Sequence, residues 1–250
     1  MKNFTFAILC CLLTTTPAIA ALALDRTRVV YEGDSAIETI KIRNSSDSPF
    51  LAQSWLTDIN GKELQDKFVV VPPVLRIESK DYAILRIRSL PTSSLLPQDR
   101  ESAFFLHVRE VPPSTENKGD NAKPQTTTGS IQIAVESVIK FFYRPDSLNH
   151  INRIDKAIAS STRIQTLAKD KIILENGSPF YVTYSDLTQG KKMEASGFKP
   201  IMLPPFSSKT LEIKKSERYQ LSHINDYGAT VTNAFYCRST SICVAQVKKD

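Results

Sequence analysis

GSIQIAVESVIKFFYRP, residues Gly129–Pro145, is the stretch whose reading decides the fold. Ile131, Ile133 and Val135 alternate with Gln132, Ala134 and Glu136. Side chains along a β-strand alternate faces, so the three aliphatic groups share one side and make an apolar ridge. The run continues through Val138, Lys140 and Phe142 with no turn signal until Pro145, which cannot donate to a ladder and stops the strand. An unusually long strand is predicted. Lys140 lies in its apolar half, where a cation is either a snorkelling surface group or the base of a binding site.

Outward from this strand the chain reads as short strands on both sides. Upstream are Ala21–Tyr31, Ala36–Arg43, Phe50–Leu56, Phe68–Val71, Asp81–Arg88 and Ala103–Val111, separated by turn signals at Asn44–Ser48, Asn60-Gly61 and Ser79–Asp81. This spacing predicts an antiparallel sandwich. Between Pro113 and Gly129 the polar segment Ser114–Thr128 reads as a mobile loop tethered between two strands. After Pro145 the pattern restarts with Arg163–Leu167, Lys171–Glu175, Phe180–Leu187, Phe198–Leu203, Lys209–Ile213, Thr230–Cys237 and Cys243–Lys248. No helical periodicity longer than two turns stands out. The fold class is therefore all-β, with two sandwich domains over 21–144 and 145–250. The junction at Arg144-Pro145 has no flexible linker, which predicts a fixed angle and a cleft.

Residues 1–20 carry Lys2, an apolar run from Phe4 to Leu13 and the small-residue ending Pro17-Ala18-Ile19-Ala20, the pattern of a cleaved secretory signal. Of 4 cysteines, Cys10 and Cys11 leave with it. Cys237 and Cys243 remain, and a close pair in an exported chain reads as a hairpin disulfide. Two thiols without nearby His make a metal site a poor alternative.

The full chain has 32 Lys+Arg against 26 Asp+Glu. So mild an excess, spread along the sequence, does not point to nucleic acid. Catalytic constellations are scarce. The glycines form no phosphate-cradling loop, no Ser sits in a G-x-S-x-G elbow, and His107, His150 and His223 lack metal-ligand spacing. Asn44-Ser45-Ser46 and Asn176-Gly177-Ser178 match a glycosylation triplet.

Several stretches, in order, resemble the periplasmic chaperones of the chaperone–usher pathway, the PapD-like family. They are Leu24–Arg28 (LDRTR), Tyr31-Glu32-Gly33, Phe50–Trp55 (FLAQSW), Val71–Val74 (VPPV), Leu96–Ser102 (LPQDRES), Arg109–Pro113 (REVPP), Lys140–Pro145 (KFFYRP), Pro179–Val182 (PFYV) and Ile224–Gly228 (INDYG). The combination LPQDRES, REVPP and KFFYRP is the specific part. The resemblance implies two immunoglobulin-like sandwiches set at an angle like a boomerang, a periplasmic location and no cofactor.

It also implies a mechanism. A pilus subunit lacks the last strand of its sandwich and exposes an apolar groove with an unpaired edge, an aggregation hazard. The chaperone's long strand completes it; strand addition of this kind is an established recognition mode. Ile131, Ile133 and Val135 would be the inserted side chains. Arg28 and Lys140 fall on the pair that binds the subunit's terminal carboxylate, and Glu101, Arg144 and Asp226 on a charged set linking the domains. The implied partners are pilus subunits and an outer-membrane usher, and a homodimer could cap the exposed ridge. His107 departs from the family, which commonly has Asn there. A structural pilin or adhesin is the competing reading. It predicts an N-terminal donor extension, whereas this chain enters its first strand near Ala21. An exported enzyme on this fold would need a converging acid, base or metal set.

Overall fold

The structure is a computed structural model that describes residues 21–64, 66–113, 133–167, 170–237 and 241–246. Residues 1–20, the loop Ser114–Thr128 and Ile131 lie outside these. The first half of the chain forms β1 (Leu22–Leu24), β2 (Arg28–Glu32), β3 (Glu38–Asn44), β4 (Phe50–Asp58), β5 (Phe68–Val71), β6 (Val74–Ile77), β7 (Tyr82–Ser89), β8 (Ser102–Val111) and β9 (Glu136–Arg144). They make a four-stranded sheet in the order β1-β3-β7-β5 and a five-stranded sheet in the order β2-β9-β8-β4-β6. The core between the sheets holds Val29, Tyr31, Ile40, Ile42, Leu56, Phe68, Leu85, Leu106 and Phe141, all essentially without exposure. Edge-to-face contacts at 5.0–5.6 Å join Phe68 to Tyr31, Phe104 and Phe141 at its centre.

The expected single strand Ala21–Tyr31 is two strands in different sheets. Its inward positions change from even (Leu22, Leu24) to odd (Val29, Tyr31) across Asp25–Thr27. A straight strand cannot make that change, because its side chains alternate strictly. Crossing between sheets absorbs the odd residue. The crossing brings β2 alongside β9 as a parallel pair, with Arg28 opposite Lys140 and Glu32 opposite Arg144, so the sandwich is not wholly antiparallel.

The second half forms a helix, α1 (Ile154–Ser161), and strands β10 (Thr162–Thr166), β11 (Ile172–Asn176), β12 (Val182–Gln189), β13 (Glu194–Ala195), β14 (Ile201–Leu203), β15 (Ser207–Leu211), β16 (Arg218–Ile224), β17 (Thr230–Cys237) and β18 (Ile242–Ala245). One hydrogen-bonded path, β13-β12-β16-β17-β18-β10-β11-β15 with β14 beside β12, folds over on itself around Ile164, Phe180, Tyr184, Tyr219 and Phe235. Strand β16 is not anticipated from the sequence, though its buried Tyr219, Leu221 and His223 alternate correctly. Helix α1 spans about two turns, too short for its periodicity to register. Among the described residues no helix is long and apolar enough to cross a membrane. Cys237 and Cys243 are directly opposite in the β17–β18 hairpin and are bonded, as the sequence predicts.

The two glycosylation triplets turn out to be structural. Asn44 and Asn176 are fully buried. Asn44 Nδ2 donates to the carbonyls of Ser48, Ile77 and Glu78 at 2.8–3.2 Å. Asn176 Nδ2 donates to those of Phe180, Leu203 and Pro204 at 2.8–3.3 Å. In both, Oδ1 accepts from the serine two residues on, at 2.7 and 2.6 Å from its hydroxyl. An amide nitrogen enclosed this way holds loop carbonyls that have no ladder partner, and it has no face left to receive a sugar.

Candidate functional site

Side-chain parity along β2 and β9 builds the site. Val29, Tyr31, Ile139, Phe141 and Tyr143 point into the first core. Lys140, Phe142 and Arg144 of β9, with Arg28 and Glu32 of β2, therefore point the other way, towards the second domain. Phe142 stacks on Tyr181 with ring centroids 5.9 Å apart. Lys140 Nζ donates to Thr183 Oγ1 at 2.7 Å, and Arg28 Nη1 donates to the carbonyl of Ile224 at 3.1 Å. Each cation is tied to the second domain by a single neutral acceptor.

Two cations directly opposite on neighbouring strands repel, and both are half-buried. Burial lowers the Lys140 pKa from its ordinary value and the charge of Arg28 adds to the effect. Burial likewise lowers that of Arg28, partly opposed by Asp226. The Nε of Arg28 is buried and has no hydrogen-bond partner. A planar fork with an idle donor beside a point charge, both short of counter-charge, has the chemistry to accept an anion such as a carboxylate.

Four residues beyond Lys140 along β9, Arg144 joins the domains. Its Nε lies 2.9 Å from Glu101 Oε1, Nη1 is 2.9 Å from Asp226 Oδ2 and 3.2 Å from Glu32 Oε1, and Nη2 is 3.1 Å from Asp226 Oδ1. Glu101 Oε2 accepts the backbone N–H of Tyr181 at 2.8 Å, and the Glu101 N–H donates to the Pro179 carbonyl at 2.9 Å. The guanidinium also lies over the Phe180 ring, 5.0 Å from its centroid. Glu101, Arg144 and Asp226 thus meet as one cluster, buried at Glu101 and Arg144 and partly exposed at Asp226, and Glu32 joins it from its exposed side, a fourth member absent from the sequence reading. Its signal was its place opposite Arg144, visible only once β2 pairs parallel to β9.

Burial pushes the Glu101 carboxyl up to about 7, against the pull of Arg144 and the Tyr181 amide. A carboxyl whose folded pKa is raised contributes stability that is complete below its unfolded value and is lost as pH rises through its folded one. The thermal midpoint should therefore fall between about pH 5 and 8. Glu101→Gln, which cannot ionise, should lose much of that slope. An unchanged slope in the variant would show that Glu101 is not the titrating group.

The segment that the sequence marks for donation lies only partly within the described residues. Ile133 and Val135 precede β9 rather than belong to it, so the described strand begins later than the sequence predicts. Ile133 is 76% exposed and Val135 37%, and Ile131 lies outside the described residues. Among the described residues, residues 133–135 keep one backbone bond to a neighbouring strand, from the Glu110 N–H to the Val135 carbonyl at 2.8 Å. β2 pairs with β9 only from Lys140 to Arg144. Among the described residues, the edge of β9 facing away from β8 is consequently open from Glu136 to Ile139. It ends at the two cations.

His107 does not stand alone. Its Nδ1 is 2.7 Å from Glu136 Oε1, its Nε2 is 2.9 Å from Thr57 Oγ1, and its ring stacks on Trp55 at 5.0 Å.

Residues 21–149 match the family described as "Pili and flagellar-assembly chaperone, PapD N-terminal domain", and residues 158–235 match "Pili assembly chaperone PapD, C-terminal domain". The chain belongs to the PapD-like pilus chaperones. It is 33% identical over 243 residues to the chaperone protein PapD of Escherichia coli, covering 92% of each chain. It is 32% identical over 230 residues to the probable fimbrial chaperone YfcS of E. coli K12, covering 91% of this chain and 87% of that one. Among solved structures, the CupB2 chaperone of Pseudomonas aeruginosa superimposes with a TM-score of 0.68 at 28% identity, covering 86% of this chain and all of that one. A PapD-like chaperone accounts for the two domains and for their charged junction.

Proposed function

We propose that this chaperone binds pilus subunits by lending them a strand, anchors them by their terminal carboxylate at Arg28 and Lys140, and delivers them to an outer-membrane usher. The observation that carries the reading is the open edge of β9, which runs directly into Lys140 and the unpaired Nε of Arg28 opposite it. A strand that adds there with its carboxylate between the two cations takes the line that β2 would have taken. It therefore runs parallel to β9, as β2 does. Ile131, Ile133 and Val135 share one face upstream of that point and would fill the subunit's groove. Three such side chains contribute roughly 1.5–3 kcal/mol each when buried. Each charge-assisted bond to the carboxylate adds about 1.5–3 kcal/mol before desolvation. The ridge supplies most of the affinity, while the clamp sets the register, because a slip of one residue would turn every aliphatic group away.

The protein would act in the periplasm after loss of residues 1–20, with domains over 21–144 and 145–250. The hairpin disulfide and the likeness to the periplasmic chaperone SfaE support that setting.

The test uses a synthetic peptide of alternating apolar and polar residues ending in a free carboxylate, and the same peptide amidated, titrated calorimetrically. Amidation should weaken binding by about tenfold to a hundredfold. Equal affinities would remove the clamp from the mechanism.

A further inference from the structure

We propose that Glu136, held by His107 and Arg109, is a positioning residue for strand donation, keeping the open edge of β9 extended and in register before a subunit arrives. The inference rests on the strand-donation reading. Glu136 is the first residue of β9 and forms the last rung of the β8–β9 ladder, opposite Arg109. Beyond it a single backbone bond continues, from the Glu110 N–H to the Val135 carbonyl at 2.8 Å. From Glu136 to Ile139 the strand is paired on one side, whereas Lys140–Tyr143 is paired on both. A strand end held on one side frays more readily than a strand within a sheet. Yet this end is the template on which the incoming strand must form.

The side chain of Glu136 makes good the missing neighbour. Oε1 lies 2.7 Å from His107 Nδ1, and Oε2 accepts from Arg109 Nε and Nη2 at 3.0 and 2.8 Å. His107 and Arg109 are two residues apart on β8 and so share the face that Glu136 occupies on β9. Both rest on β4. His107 stacks on Trp55 and its other nitrogen meets Thr57, while the Arg109 guanidinium lies over the same indole, 4.9 Å from its centroid. One carboxylate is thus braced through two residues of β8 onto two of β4. Slipping β9 by one residue would turn Glu136 to the opposite face, and slipping it by two would carry it past one of its partners. The brace sits four residues from Lys140, about 13 Å along the strand, clear of the bound carboxylate. Lower conformational freedom before binding means less to lose on binding.

The experiment measures amide hydrogen exchange in the free mature protein, and capture of the carboxylate-ended synthetic peptide. The comparison covers wild type, Glu136→Ala, Glu136→Gln, His107→Ala and His107→Asn. Glu136→Ala should raise exchange at residues 135–139 by about tenfold or more, and weaken capture by about tenfold, the equivalent of roughly 1.4 kcal/mol. The thermal midpoint should hardly move. Glu136→Gln and His107→Asn, which keep a hydrogen bond, should recover most of what the alanine variants lose; a purely bulk structural role would not sort the variants this way. If wild type captures the peptide and Glu136→Ala captures it equally, or if exchange at 135–139 is unchanged, the proposal is overturned. If wild type captures no peptide, strand donation fails and this inference falls with it.

Discussion

Arg144→Ala should cost about 3–5 kcal/mol of stability, the usual consequence of removing one member of a buried ionic cluster. Glu32, Glu101 and Asp226 all converge on this one guanidinium. Without it three carboxylates face one another across the junction, and Glu101, whose side chain is 2% exposed, has no other cation within reach. The other direct links across the junction, from Glu101 to the backbone of Pro179 and Tyr181, from Lys140 to Thr183 and from Arg28 to the Ile224 carbonyl, bring no cation to Glu101. The domains should uncouple before they unfold. Urea denaturation should then separate into two transitions, and limited proteolysis should begin cutting between about residues 145 and 153. At alkaline pH, where Glu101 without the cation that lowers its pKa is forced to ionise while buried, adding Glu101→Gln to Arg144→Ala should restore part of the loss. A single cooperative transition within about 1 kcal/mol of wild type would mean that apolar contact such as Phe142 on Tyr181 holds the junction unaided.

Ile133→Asp should abolish recovery of a soluble one-to-one complex when the protein is produced with the subunits encoded beside its gene. Inserting aspartate into an apolar groove loses the roughly 1.5–3 kcal/mol of the isoleucine and adds the larger penalty of a buried, unpaired carboxylate. The predicted loss of affinity is about a thousandfold or more. Stability should be untouched, since Ile133 is exposed in the free protein and outside any strand. Lys140→Ala should also prevent complex formation, by a different route: it leaves the ridge intact but removes the point charge that sets register. If the subunits stay equally soluble with either variant, or with no chaperone at all, strand donation is not how this protein works. The pilin or adhesin reading would then regain ground.

The reason such variants can be named at all is that β9 was legible from its residues. Its alternation placed Phe142 and Lys140 on one face and Pro145 at its end, and the structure keeps them there. The hairpin joining Cys237 and Cys243 was equally plain. Strand β2 was not. Its residues alternate as well as any, but the register change across Asp25–Thr27 only acquires meaning when two sheets compete for the same chain. His107 was conspicuous as a departure from the family, and its partners could not be read, because Trp55, Thr57 and Glu136 lie on strands far from it in sequence. The two asparagine triplets matched a glycosylation pattern, and the structure gives both amides a different role. A triplet says nothing about whether its amide faces water or three loop carbonyls.

The sequence by itself determined what depends on neighbours along the chain: alternation, turn signals, the close cysteine pair and the ordered motifs that mark a PapD-like chaperone. Tertiary structure alone decided what depends on neighbours across it. Among the described residues, it set Arg28 opposite Lys140, gathered three carboxylates onto Arg144, and left the edge of β9 open from Glu136 to Ile139. The physical reason is that a strand's faces follow from local backbone geometry, whereas the identity of the strand beside it is chosen by the packing of the whole core.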